Sequence, residues 1–386
     1  MDASVERVPL DEVRDLIAPG QELPFPVLDD DGRLLLNAGL FITSERQFAL
    51  LLERGAWVER LVVDSQREAM ARLAETKPAR AVREPTLFDR WERTLWDLDA
   101  LLRSTAKGAS SQAEWLVMVD EFMTTVDRDA DVAIFTSVRQ EDRRYALYPL
   151  THALHAAVLC LLCARQARWD LDRQRSLVGA ALSMNVAMMD LQARMAEQDD
   201  RPSKAQMEVI RAHPERGVSI LRATGVQDPV WLNAVADHHE RADGGGYPKG
   251  SLTVSDEARV LRMADVYMAK ITPRANRTPL PAMAASRQLF QQEPGCALVL
   301  SFLKAIGLHP PGSLVQLKSG EVAVVTRRAA GPAPKVRTLS DKSGQPTVNS
   351  VTLDSANAEH AILGPCSNMA AFPRVPPERV YGLMLA

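Results

Sequence analysis

The sequence predicts a mostly α-helical protein, with a small α+β module on the N-terminal side of a large helical domain and a small β-rich unit on its C-terminal side. Three observations carry this. Between about residues 129 and 308, apolar residues recur at helical spacing in long runs broken by short turns, among them Arg201-Pro202-Ser203, Ala223-Thr224-Gly225 and Asp243-Gly244-Gly245-Gly246. Nearer the start, Phe25 to Leu36 reads as two short strands joined by an Asp-Gly turn at Asp31-Gly32. After Pro310-Pro311-Gly312 the spacing turns strand-like, with Leu314 to Leu317 and Val322 to Val325 around Ser319-Gly320 and a further run from Lys335 to Leu339.

Each element follows from local signals. In the first module, residues 1–65, a helix beginning at Ser44 as N-cap stops at Gly55. Residues 66–128 are charged and helical, interrupted at Lys77-Pro78 and at Lys107 to Ser111, and read as a connector. The helical domain, residues 129–312, contains helices Leu150 to Arg165, Pro229 to Asp237 and Asp256 to Ile271. Within it, His213-Pro214 reads as the N-cap and first position of a helix running to Arg222. Residues 313–386 form the β-rich unit.

Composition excludes several function classes. A chain of 386 residues holds two or three folding units, and 46% hydrophobic with 25% charged residues is a soluble globular balance. The 46 basic and 49 acidic side chains leave a formal net charge of −3, so no basic field exists for nucleic acid. The N-terminus lacks a basic stretch followed by an apolar one, and the most apolar run, Ala156 to Ala164, falls short of the ~18 residues of a membrane span. Cysteines at Cys160, Cys163, Cys296 and Cys366 are too few for a disulfide framework. The expectation is a cytoplasmic protein without a membrane span, with Cys160 and Cys163 packed in a core.

Five of the seven histidines fall between residues 129 and 308, at His152, His155, His213, His238 and His239. One imidazole on an apolar helix is more often a satisfied core residue than a ligand, so the group has to be weighed together. Neighbouring side chains on a helix diverge by ~100°, so His238 and His239 serve one cluster only if it lies between them or the helix ends there. Asp265 lies between Leu261 and Met268 on an apolar helix face, which requires an arginine partner or a metal.

The segment His238-His239-Glu240, then Asp243-Gly244, then Gly246-Tyr247-Pro248 resembles the HHExxDGxGYP signature of the HD-GYP family, matching it at every specified position. The flanks agree in His213-Pro214, in Ala258-Arg259 with Ala264-Asp265, and in His152. The resemblance covers roughly residues 129–308 and implies an HD-type all-helical domain that hydrolyses cyclic di-GMP at a centre of iron or manganese ions. It also implies His152, His213, His238, His239 and Asp265 as metal ligands, with Asp243, Gly244, Gly246, Tyr247 and Pro248 lining the substrate.

One stretch departs from that pattern. Where the family has His-Asp followed three residues later by lysine, this chain has Met184, Asn185 and Met188. A neutral amide cannot supply the charge that bridges two cations, and a thioether is a poor ligand for hard Fe(II) or Mn(II). The resulting expectation is a degenerate module of bacterial cyclic di-GMP signalling that binds the nucleotide, or a related one, and a signalling protein partner. It would hold one iron or manganese ion or none, and have no efficient catalytic residue. The alternative is a phosphodiesterase using the ligands that remain.

Overall fold

The computed structural model describes residues 6–17, 23–40, 42, 45–74, 86–139, 145–275, 277–293, 295–329, 333–347, 350–366 and 377–381. Contacts divide the chain into two compact units, one of Met1–Ala100 with Asp142–Tyr148, the other of Leu101–Glu141 with Pro149–Ala386. As predicted, the protein is mostly α, with two small antiparallel sheets.

The first unit contains β1 (Arg7–Pro9), β2 (Val27–Leu28), β3 (Leu34–Leu36), α1 (Glu45–Glu53), β4 (Trp57–Glu59), α2 (Arg60–Ala74) and most of α3 (Leu87–Ala106). Its strands lie in the order β1-β4-β2-β3, and β2 and β3 form the expected hairpin, with Gly32 at a φ of 82°. Val8, Phe25, Val27, Leu36, Leu51 and Val58 fill the space under the sheet. The expected cap at Ser44 and the break at Lys77-Pro78 lie outside the described residues.

The second unit begins with α4 (Gln112–Arg128), started by a Ser111–Glu114 capping box, and α5 (Ala130–Val138), capped by Asp129. It continues through α6 (Tyr148–Gln166), α7 (Leu171–Ser183), α8 (Met189–Glu197), α9 (Lys204–Ala223), α10 (Pro229–Asp237), α11 (Asp256–Ile271), α12 (Ala282–Gln292) and α13 (Ala297–Ile306). A sheet follows from β5 (Leu314–Leu317), β6 (Val322–Arg327), β7 (Lys335–Thr338), β8 (Thr352–Asp354) and β9 (Ile362–Pro365), in the order β8-β7-β6-β5-β9. Val315, Leu317, Ala323, Val325 and Val336 form its core.

Three features place the site. Helix α10 packs between α7 and α9, and Gly179 lets α7 approach so closely that a Cβ there would lie 2.5 Å from the Trp231 ring. The Trp231 indole donates to Ser183 Oγ at 2.9 Å, and its ring meets Trp115 edge-on at 5.8 Å, fixing α10 laterally. The carboxylate of Asp228 accepts from the Val230 and Trp231 amides and starts α10 just before Pro229.

Two expectations need correction. The stretch Tyr145–Gln166 is long and apolar enough to cross a membrane, with a mean hydropathy of 1.6 over its most apolar window. Thr151, His152 and His155 break the uninterrupted apolar run without lowering that mean much, and 89% of the window is buried inside the protein. Cys160 and Cys163, on its inner face, are buried free thiols; burial raises both, Cys163 to about 12. The second correction concerns α9, which starts at Ser203 and runs unbroken through His213, so that His213-Pro214 lies inside the helix and does not cap it.

Candidate metal centre

Four helices deliver the five side chains expected as ligands. His152 comes from the first turns of α6, His213 from the middle of α9, His238 and His239 from the end of α10, and Asp265 from α11. Because α10 ends at Asp237, the two neighbouring imidazoles are free to face one cluster, and the rings of His213, His238 and His239 lie 4.1 to 5.1 Å apart centre to centre. One ligand atom from each of these three falls within 4.8 Å of the others. His152 Nε2 is 2.8 Å from Asp265 Oδ1, and His239 Nδ1 is 3.9 Å from Asp265 Oδ2, joining all five residues. Among the described residues, Asp265 therefore pairs with imidazoles and not with an arginine.

The proline inside α9 explains how His213 is held. Pro214 has no N–H to give to the carbonyl four residues back, that of Ile210. The His213 ring takes that place, its Nδ1 lying 2.6 Å from the Ile210 oxygen. His238 repeats the arrangement at the end of α10, with Nδ1 2.7 Å from the Val235 oxygen. A carbonyl oxygen only accepts, so Nδ1 carries the proton in both rings and each neutral ring keeps its lone pair on Nε2. Those two Nε2 atoms face each other at 3.1 Å.

Burial first, then the neighbouring His238, lowers His213 from the usual imidazole range to about 3. His238 and His239 are lowered as well, burial again leading. Burial alone would raise Asp265, but the hydrogen bond from His152 and the surrounding imidazoles outweigh it and hold this carboxyl below its ordinary range. The centre is thus one carboxylate beside neutral rings with exposed lone pairs.

The loop after α10 closes over one face of the cluster. The Tyr247 ring stacks on His239 at 4.5 Å and 22°, and the Tyr247 amide donates to the His239 carbonyl at 3.2 Å. Gly246 is required there, since a Cβ would sit 2.5 Å from backbone atoms of Glu240 and Arg241. Gly244 takes a φ of 75°. Asp243 is exposed, pairing with Arg241 and accepting the Gly245 amide. Glu240, assigned no role from sequence, is 1% exposed and accepts the amides of Lys249 at 2.6 Å and Ser251 at 2.9 Å, pinning the loop behind Pro248. The signal was its place in the signature, directly after the two histidines.

The turn between α7 and α8 carries the departures. Met184 is fully buried and Asn185 is 5% exposed, its side-chain oxygen without a hydrogen-bond partner. A Cβ on Gly217, one helical turn after His213, would meet Val235 Cγ1, the Met184 carbonyl and Val186 Cγ1 at 3.5 to 3.8 Å. The turn therefore lies beside Gly217 of α9, where Val235 of α10 also packs. A single cation fits the donor set, because two fixed lone pairs converge and a third imidazole adjoins them. A bridged pair of cations fits poorly, since Asp265 is engaged by His152 and Asn185 carries no charge.

Residues 137–293 match the family model for the HD domain. A cyclic di-GMP phosphodiesterase of Pseudomonas aeruginosa is 27% identical over 214 residues, which is 54% of this chain and 50% of that protein. The cyclic di-GMP phosphodiesterase PdeB of Borreliella burgdorferi is 21% identical over 47% of this chain and 48% of its own length. The cyclic di-GMP phosphodiesterase response regulator RpfG of Xanthomonas campestris is 34% identical over 22% of this chain and 24% of its own. This chain thus spans half or less of the length of the curated relatives it matches. In fold it is similar to an HDG"Y"P protein from Bdellovibrio bacteriovorus, at a TM-score of 0.50 and 14% identity over 78% of this chain and 98% of that one. The imidazole cluster and its closing loop lie within the segment 137–293 that matches the HD-domain model.

Proposed function

We propose that this chain is a cyclic di-GMP signalling protein in which the HD domain binds the nucleotide, or a close relative of it, without hydrolysing it efficiently. The observation that carries this reading is the contrast around α9. The signature loop is built, with Tyr247 stacked on His239, whereas the α7–α8 turn offers Met184 and an uncharged Asn185. His213, His238, His239, His152 and Asp265 are the residues that would hold a metal, and a bound cation would supply positive charge toward a phosphodiester and a more acidic water. Met188 brings no charge to the developing oxyanion, where a lysine would stabilise it. The loop residues Asp243, Gly244, Gly246, Tyr247 and Pro248 are assigned to the nucleotide, and binding would be passed on to a signalling protein partner.

A second reading, residual phosphodiesterase activity, has one observation in its favour: all five expected ligands are connected in one cluster. Protein loaded with iron or manganese under anaerobic conditions separates the two. Binding of cyclic di-GMP that Tyr247→Ala weakens, with turnover at the level of a metal-free control, supports the sensor. Turnover well above that control and abolished by His239→Ala overturns it.

A further inference from the structure

We infer that the site formed by His213, His238 and His239 takes a single divalent cation of the borderline, zinc-like class through three imidazole nitrogens, not a carboxylate-bridged pair of iron or manganese ions. This rests on the reading of the cluster as a metal centre and goes on to name the ion class and the number bound.

Three observations point the same way. First, the tautomers of His213 and His238 are set by the carbonyls of Ile210 and Val235, so two Nε2 lone pairs meet at 3.1 Å in a buried place. Two such acceptors repel unless a cation lies between them. Tetrahedral zinc, with Zn–N bonds of about 2.0–2.1 Å, puts its nitrogens about 3.3 to 3.4 Å apart. The two Nε2 atoms at 3.1 Å lie close to that spacing already, and one ligand atom from each of the three rings lies within 4.8 Å of the others.

Second, the charge available is small. Three neutral imidazoles form a donor set suited to zinc, cobalt or nickel, whereas hard iron(II) and manganese(II) favour oxygen donors and negative charge. The carboxylate of Asp265 is hydrogen-bonded to His152, which places it as an orienting neighbour rather than a bridge. Third, the α7–α8 turn, whose Met184 carbonyl and Val186 side chain lie beside Gly217 of α9, brings no carboxylate: its Asn185 carries an amide oxygen that is buried and unpaired but uncharged. Bringing a second cation next to the first without a carboxylate between them leaves their repulsion uncompensated.

The test counts ions and reads their coordination without using turnover. Metal-free full-length protein is titrated with Co2+ as a spectroscopic probe and with Zn2+, and bound metal is counted by elemental analysis after desalting. The expected result is about one ion per chain, strong visible absorption of four-coordinate Co2+, and displacement of Co2+ by Zn2+. His238→Ala should weaken binding by more than about 100-fold, beyond the 10–100-fold typical of residues that only orient a ligand. Should His238→Ala not fold, judged by circular dichroism, His238→Gln and His239→Ala are read in its place. Met184→His combined with Asn185→Asp should raise the count toward two, which shows that the assay detects a second ion. Two ions per unmodified chain, or the weak spectrum of six-coordinate Co2+, overturn the inference and leave nucleotide binding untouched. No bound ion overturns the metal-centre reading as well.

Discussion

The two flanks of the site treat their polar atoms in opposite ways. On the α9–α10 flank Ile210 and Val235 hold the two imidazoles by their Nδ1 protons, and Glu240 takes two loop amides. On the α7–α8 flank the same shell of helices surrounds Met184, with no polar group to offer, and Asn185, whose oxygen has no partner. A buried amide oxygen left unpaired costs about 1–3 kcal/mol. The difference teaches that ligand geometry and ligand charge have come apart here. The α9–α10 flank orients imidazoles, and the α7–α8 flank offers no charge at Met184 or Asn185.

The largest effect expected breaks that contrast by rebuilding the poorer flank. Met184→His, Asn185→Asp and Met188→Lys together should raise cyclic di-GMP turnover by at least about 100-fold over the unmodified protein in iron- or manganese-loaded samples, the scale of a restored metal ligand and oxyanion partner. Turnover that stays flat while a second ion binds would show that something other than charge limits hydrolysis. The wall between the flanks gives the next effect. Gly179→Ala drives a methyl into the Trp231 ring, which is buried and tied to Ser183, so the ring must shift. The expected loss is about 1–3 kcal/mol, read as a lower midpoint in urea with an unchanged slope.

Much of this was legible in the sequence because its causes are local. Helices α10 and α11 run over the ranges expected for them, Pro229–Asp237 and Asp256–Ile271, and in the structure Asp228 and Ser255 cap their starts. The start of α9 misled for a local reason too. His213-Pro214 imitates a helix start, while the true start lies ten residues earlier at the Ser203–Gln206 capping box. What rescues a proline in that helix is a side-chain hydrogen bond, which no propensity records. The pairing of His152 with Asp265 joins residues 113 apart and could be expected only through the family resemblance.

That rescue gives a prediction of two signs. Pro214→Ala returns an N–H to compete for the Ile210 carbonyl, so the ring of His213 loses its fixed tautomer. Metal affinity should fall by about 10-fold, at the low end for groups that orient a ligand, while thermal stability of the metal-free protein rises as the helix regains its hydrogen bond. Affinity that stays constant would mean that the cluster orients His213 without Ile210.

The smallest effect sharpens the comparison most. If Asn185 is a vestige, its buried oxygen is a pure cost, and Asn185→Leu should stabilise the protein by about 1 kcal/mol, because the substitution removes an unsatisfied acceptor and adds an apolar group of similar volume among Met184, Val186 and their neighbours. Metal affinity and the count of bound ions should not change. If instead the amide oxygen is a neutral ligand, Asn185→Leu should lower metal affinity by more than about 10-fold. The two cases give opposite signs in a pair of simple measurements, a denaturation midpoint of the metal-free protein and a metal titration. The sign of the second decides whether the α7–α8 flank still takes part in the centre or only packs against it.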